Sequence, residues 1–344
     1  LMPGVSIIVP CFNEEKTIQL LLEAIYQQTY PRNQTEIIIA DGMSTDRTRQ
    51  EIAEFQSLHP ELKIRLVDNP KRIIPAGLNR AIEVATGTYL IRMDAHCMPY
   101  PDYIEKIVQD LEAGYGDNVG GIWEIQPGIQ DTRKPSWIAR GIAAAAAHPL
   151  GVGDALYRYA EKAQYVDTVP FGAFQRTLIE RIGYFDETLL TNEDYEFNTR
   201  IRLSGGKIWL NPAIRSVYFA RPTLTSLFKQ YWRYGYWKGC MLLRYPKTLR
   251  WRQTLPPLLV ISLLTLAVLS IFIRWFGLLL IVEISLYALA LLAGGIHVSW
   301  KKKDLPLLLS TPLAIAVMHL TWGTGVLWSL ITSLLRKGLN RHAL

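Results

Sequence analysis

Cysteine is scarce in this 344-residue chain: there are three, Cys11, Cys97 and Cys240, and no two are spaced as CxxC. That argues against a disulfide framework and against a cysteine zinc site. Acidic residues are almost missing from the second half. Residues 197–344 hold 2 Asp and Glu, Glu283 and Asp304, against 19 Lys and Arg, a net of +17. Residues 1–196 hold 28 against 18, a net of −10, so the overall +7 describes neither half. A nucleic-acid binder is one reading of a basic half. Here the basic residues flank long apolar runs, the pattern of segments facing anionic lipid, and no nucleic-acid partner is expected. Also absent are GxGxxG, the P-loop GxxxxGK followed by Ser or Thr, and HExxH. Dinucleotide oxidoreductases, P-loop NTPases and zincins therefore lack their motifs. The chain does not open on a basic n-region and an apolar h-region, so no signal peptide is expected. Leu1 is not an ordinary initiator, and a short upstream piece is expected to be missing. There is no internal repeat and no low-complexity linker.

What is present is organised around Tyr89–His96, reading YLIRMDAH. Leu90, Ile91 and Met93 form a short apolar run behind the turn residue Gly87, which reads as a buried strand. It ends on Asp94, with His96 two residues on. A carboxylate and an imidazole so placed can converge on one divalent cation, and open α/β sheets bind ligands at the carboxyl ends of their strands. Other strands are expected at Val5–Val9, Glu36–Ala40 and Ile64–Val67, with Val119–Trp123 and Lys207–Leu210 later. Between the early ones, Ile18, Leu21, Leu22 and Ile25, and then Leu78, Ala81, Ile82 and Ala85, recur at helical spacing. Strands alternating with helices predict an α/β domain with a mostly parallel, Rossmann-like sheet. Asp41 closes the second strand, before a turn in which Thr45 or Asp46 can cap the next helix. Further helices are expected over Pro135–Ala147, Thr191–Ser204 and Thr223–Cys240. In the second of these, Asp194, Phe197 and Ile201 share one face, which puts Asp194 at the end of an apolar stripe. The alternative for Asp194 is a capping box with Thr191.

Three apolar segments follow, roughly 255–273, 277–298 and 305–335, each long enough to span a bilayer. Lys301-Lys302-Lys303 and the basic residues of 244–252 should face the cytoplasm, which fits a hairpin of two spans turning at Arg274-Trp275. The third segment is awkward: a crossing would put Arg336, Lys337 and Arg341 outside, and Pro306, Pro312, Gly323 and Gly325 interrupt it. Two spans with a re-entrant segment, or three spans, are both open.

VSIIVPCFNEE, DGMSTD, DAH, NEDYE and QYWRY, in that order, resemble the family 2 glycosyltransferases of the GT-A fold, from Val5 to about Tyr245. VDTVPFGAF and NEDYEFNTRI look most like the membrane-anchored succinoglycan-type enzymes. The resemblance implies a GT-A domain over 1–222, an amphipathic interface helix and basic juxtamembrane segment over 223–252, and a membrane domain over 253–336. It implies a nucleotide pocket lined by Pro10, Asn13 and Glu14, with Asp41 accepting from the base and Asn79 contacting the nucleotide. Asp94 and His96 match the family's DxD with His in place of the second Asp, and would hold Mn²⁺ or Mg²⁺. An imidazole suits Mn²⁺ better than Mg²⁺. Asp194 would be the catalytic base, with Glu193 orienting the acceptor or the loop. Gln230 and Arg233 match QxxRW, with Tyr234 for Trp, and Arg233 would pair with a diphosphate oxygen. The implied activity is inverting transfer from a nucleotide sugar, a UDP-sugar by preference, to a lipid-linked saccharide or polysaccharide at the cytoplasmic face of the cell membrane. A polyprenyl-phosphate sugar synthase and a non-catalytic membrane scaffold with this fold are the alternatives. A processive synthase fits less well, since three apolar segments are few for a channel.

Overall fold

A computed structural model describes residues 4–128 and 134–341, the side chains of Lys247 and residues 336–341 excepted. The chain forms two compact units. The first comprises Leu1–Glu124 and Leu156–Tyr218, the second Ile125–Ala155 and Phe219–Leu344. The chain passes from one unit to the other three times, after Glu124, Ala155 and Tyr218. Ile125–Ala155, expected inside the GT-A domain, clusters with the C-terminal helices.

The apolar runs of the first unit become strands where both sheet faces are covered. β1 (Val5–Cys11), α1 (Ile18–Tyr26), β2 (Thr35–Asp41), α2 (Thr48–Leu58), β3 (Lys63–Asp68), α3 (Ile74–Val84) and β4 (Tyr89–Arg92) follow in order. β1 lies between β2 and β4, and β2 pairs with β3, all parallel. Side chains alternate across the sheet. Ile7, Val9 and Ile37 pack on one face with Leu21 and Leu22 of α1. Ile8, Ile38 and Leu90 pack on the other with Leu78 and Ala81 of α3. A parallel sheet covered on both faces reads as continuous apolar sequence. Gly87 precedes β4 because a Cβ there would stand 2.6 Å from the Ser6 backbone nitrogen.

Beyond β4 the parallel pattern stops. β5 (Met98–Pro99), α4 (Tyr103–Glu112), β6 (Asn118–Gln126), β7 (Gln164–Tyr165), β8 (Ala173–Gln175), α7 (Thr177–Ile182), α8 (Glu193–Leu203) and β9 (Ile208–Phe219) complete the nine-stranded sheet. Its order is β3-β2-β1-β4-β8-β6-β9-β5, with β7 on β9. β8 runs antiparallel to β4 and β6, and β9 antiparallel to β5 and β7. The sheet is therefore mixed, with its parallel half at β3-β2-β1-β4.

The second unit is helical: α5 (Trp137–Ala146), α6 (Pro149–Val152), α9 (Leu224–Arg244), α10 (Trp251–Ser270), α11 (Arg274–Lys302) and α12 (Leu307–Arg341). Ser136 caps α5 by accepting from the Ala139 N–H. The last three helices are long and apolar enough to cross a membrane. The third apolar segment is one unbroken helix, not an interrupted one. A Cβ on Gly323 would lie 2.5 Å from the Pro256 carbonyl oxygen of α10, and one on Gly325 2.7 Å from the Trp232 carbonyl oxygen of α9. These glycines are contact points between helices rather than breaks, since small residues let apolar helices approach closely.

Candidate active site

The first strand ends in a loop that is tied to the turn after β2. Pro10 is still in β1. Asn13 adopts φ 54°, a conformation that Asn tolerates better than most residues. Its N–H donates to Ser44 Oγ at 2.8 Å, and its Oδ1 accepts from the Thr45 N–H at 2.9 Å. The Glu14 N–H donates to Thr48 Oγ1 at 2.7 Å. Loop and turn are thus laced together. Asp41, fully buried at the end of β2, anchors that turn: its Oδ2 accepts from the Ser44 N–H at 3.0 Å and from Arg49 Nε at 2.5 Å.

Asn79 ties the loop ahead of α8 to α3: its Nδ2 donates to the Phe185 carbonyl and to Glu187 Oε1, each at 3.0 Å, and its Oδ1 accepts from the Phe185 N–H at 2.9 Å.

β4 carries the other half. Arg92 is buried, at 4% exposure, and its Nη2 donates to Asp94 Oδ1 at 3.2 Å and to Glu193 Oε1 at 2.8 Å. Glu193 and Asp194 open α8, whose N-cap is Asn192 at φ 68° with no side-chain cap bond. The capping box of Thr191 and Asp194 is therefore not formed. Asp194 Oδ1 accepts from the Tyr195 N–H at 2.7 Å. Phe197 and Ile201 continue its stripe into the core, as the spacing predicts. Burial pushes the carboxyls of Glu193 and Asp194 up, and the Arg92 guanidinium pulls both back. His96 stands at the rim, with Nδ1 3.1 Å from Glu14 Oε1. Among the described residues no three His, Cys, Asp or Glu side chains already converge as a metal cage. Burial also raises the thiols of Cys11 and Cys97.

Gln230 and Arg233 lie on α9 in the second unit. Gln230 is buried and its Nε2 donates to the Tyr234 hydroxyl at 3.1 Å, while Arg233 is exposed. The structure brings Asp94, Glu193 and Asp194 around one guanidinium and brings Glu14 to His96. Arg92 was missed because an apolar run invites counting only its apolar members. A charge inside a buried strand is itself a signal, since arginine is almost never buried unpaired. Phe171 was missed too: it is buried at φ 62°, a strained conformation for a bulky residue, and lines a small space with Arg92 and Asp194.

Comparison with known proteins gives the family of the chain. The profile described as glycosyl transferase family 2 matches residues 6–183. The succinoglycan biosynthesis protein ExoA of Rhizobium meliloti is 30% identical over 93% of this chain and 92% of its own length. A Methanococcus voltae dolichyl N-acetyl-alpha-D-glucosaminyl phosphate 3-beta-D-2,3-diacetamido-2,3-dideoxy-beta-D-glucuronosyltransferase is 31% identical over 92% of this chain and 94% of its own. A mannosyltransferase from Pyrobaculum calidifontis, solved with GDP-Man and Mn²⁺, superposes with a TM-score of 0.55 at 22% identity, covering 93% of this chain and 88% of that one. With a profile match over half the chain and relatives at this identity over nearly all of it, the chain belongs to glycosyl transferase family 2: it has the GT-A fold and takes its sugar from a nucleotide-sugar donor.

Proposed function

We propose that this enzyme inverts the anomeric centre, and that it transfers the sugar to a lipid-linked saccharide or polysaccharide at the cytoplasmic face of a membrane. The observation that carries the reading is the placement of Asp194 at the start of α8, joined through Glu193 and Arg92 to Asp94 at the end of β4. A single displacement needs a carboxylate on the acceptor side and charge stabilisation on the donor side. Asp194 Oδ2 takes the proton of the acceptor hydroxyl. The acceptor oxygen bonds to the anomeric carbon as the bond from that carbon to the diphosphate breaks. Glu193 is held by Arg92, and orients the turn that carries Asp194. Pro10, Asn13, Glu14 and Asp41 shape the nucleotide side.

Asp94 and His96 would hold a divalent cation, and the Glu14 contact fits that role. A metal-ligating histidine almost always gives its other ring nitrogen to a carboxylate, carbonyl or water, and Glu14 stands beside Nδ1. A carboxylate with an imidazole suits Mn²⁺, with diphosphate oxygens and water filling the shell. When bound, the cation would stabilise negative charge on the departing diphosphate. The Mn²⁺ in the Pyrobaculum calidifontis complex supports the assignment.

The acceptor reading rests on the relatives named for succinoglycan biosynthesis and for a dolichyl-phosphate-linked sugar, and on three apolar helices. Lys301–Lys303 at the end of α11 set the proposed cytoplasmic side. The test is to incubate the full chain in lipid nanodiscs with UDP- and GDP-hexoses and extracted lipid-linked saccharides. A product of opposite anomeric configuration to the donor, seen by NMR, is expected. Retention of configuration would overturn the inverting mechanism, and transfer only to soluble acceptors would overturn the lipid-linked one.

A further inference from the structure

β4 is an apolar strand with one charge in it. The guanidinium of Arg92 is the group through which carboxylates from two distant parts of the first unit meet: Asp94 follows the strand, and Glu193 lies 101 residues further on. One nitrogen, Nη2, serves both. Nε and Nη1 have no partner among the described residues. They adjoin a small space lined by Asn118, Phe171, Asp194 and Asn198. An arginine placed for stability alone would have its donors satisfied, because each buried donor left alone costs the fold. Buried ion pairs are in any case weak sources of stability, and apolar replacements of both partners are often neutral. Orphaned donors beside a reactive carboxylate instead mark a group kept for its geometry.

We propose that Arg92 is a positioning residue. Its Nη2 fixes the distance between the donor-side carboxylate Asp94 and the first turn of α8, and through Glu193 it aims Asp194 at the acceptor hydroxyl. The inference rests on Asp194 being the base. Lysine could not replace it fully, because its ammonium sits on a flexible stem, whereas Nη2 is held in a rigid, planar guanidinium.

The test uses the full chain in lipid nanodiscs and the nucleotide hexose that wild type turns over fastest from a UDP and GDP panel. Arg92→Met leaves its acidic partners uncompensated and risks misfolding, so Arg92→Met with Glu193→Gln is the second variant. That double variant is expected to melt close to wild type, yet to lose about 100-fold in kcat, the scale of a displaced reacting group. Its donor KM should stay within about threefold, since only the transition state has lost an interaction. Arg92→Lys should fall between the two. A folded double variant with wild-type kcat would overturn the inference, because a purely structural ion pair predicts recovery. So would a raised donor KM with unchanged kcat. Asp194→Asn in parallel separates the failures. If it stays active, the base assignment falls and the inference with it. If it is inactive while the Arg92 variants are not, the inference alone falls.

Discussion

Replacing Asp194 by Asn changes one proton acceptor and little else. The Tyr195 N–H that Oδ1 accepts at 2.7 Å can be kept by the amide oxygen, so the start of α8 should hold. Removing a general base typically costs about 10²–10⁴ in rate, or about 2.7–5.4 kcal/mol of transition-state stabilisation. Stability should move the other way. Burial raises the Asp194 carboxyl in the folded state. The folded protein therefore holds that proton more tightly than the unfolded chain, and this contribution to stability is lost as pH rises from the ordinary carboxyl value, about 3.9, through the raised one. Above that raised value the ionised carboxylate weakens the fold, and the amide does not. Asp194→Asn should thus be at least as stable as wild type at pH 7, with the difference shrinking towards pH 4. The assays are diphosphate release at saturating donor and thermal melting at several pH values. Retention of more than about a tenth of wild-type kcat, a loss under roughly 1.4 kcal/mol, would refute the base assignment. A variant clearly less stable at pH 7 would refute the electrostatic reasoning.

Asn79→Leu removes three hydrogen bonds to residues 185–187 and is expected to lower stability by about 1–3 kcal/mol while leaving donor KM unchanged. A raised KM at unchanged melting temperature would instead give Asn79 a direct role at the nucleotide. Gly323→Leu should abolish recovery of monodisperse protein, because its Cβ would meet the Pro256 carbonyl at 2.5 Å. Gly277→Leu, whose Cβ meets only Ser270 Cβ at 3.6 Å, should be tolerated, and equal size-exclusion profiles would disprove the contrast. His96→Asp alone is expected to weaken activation by Mn²⁺, and adding Glu14→Gln to recover it with a shift towards Mg²⁺. Identical metal-activation curves with and without Glu14→Gln would show that Glu14 does not act on this position.

The parallel half of the sheet was legible because covering both faces of β1, β2 and β4 forces continuous apolar runs, and β3, the half-exposed edge strand, still shows Ile64, Leu66 and Val67 between turns. β1 to β4 lie where those runs predict. Of the antiparallel half, β6 was legible, expected over Val119–Trp123 and found over Asn118–Gln126, and most of the rest was not. β5, β7 and β8 are two or three residues long and exist only through partners such as Tyr165 opposite Trp209. No local periodicity can mark a strand that short. β9 was expected over Lys207–Leu210 and runs Ile208–Phe219. Asn211-Pro212 within it reads as a turn, and the strand continues past it only because the sheet supplies neighbours. The site followed the same division. Asp94 and Asp194 were visible from their places at a strand end and a helix start. Arg92 and the Glu14 contact to His96 were not, because both depend on chain segments far apart in sequence.

The departure at His96 becomes intelligible once Glu14 and Arg92 are placed. A second aspartate at position 96 would put its carboxylate beside that of Glu14, where the imidazole nitrogen now stands 3.1 Å away. Like charges that close disfavour each other's ionisation. Asp94 and Glu193 already share one buried guanidinium, so a further acid would add to an acidic group that Arg92 already serves. A histidine avoids that conflict and turns Glu14 from a rival into a support, because the carboxylate can hold one ring nitrogen while the other faces a cation. The substitution is therefore not an isolated loss of a ligand. On the proposed reading Glu14, part of the same loop motif as Asn13, would hold one ring nitrogen of His96 and leave the other for the cation.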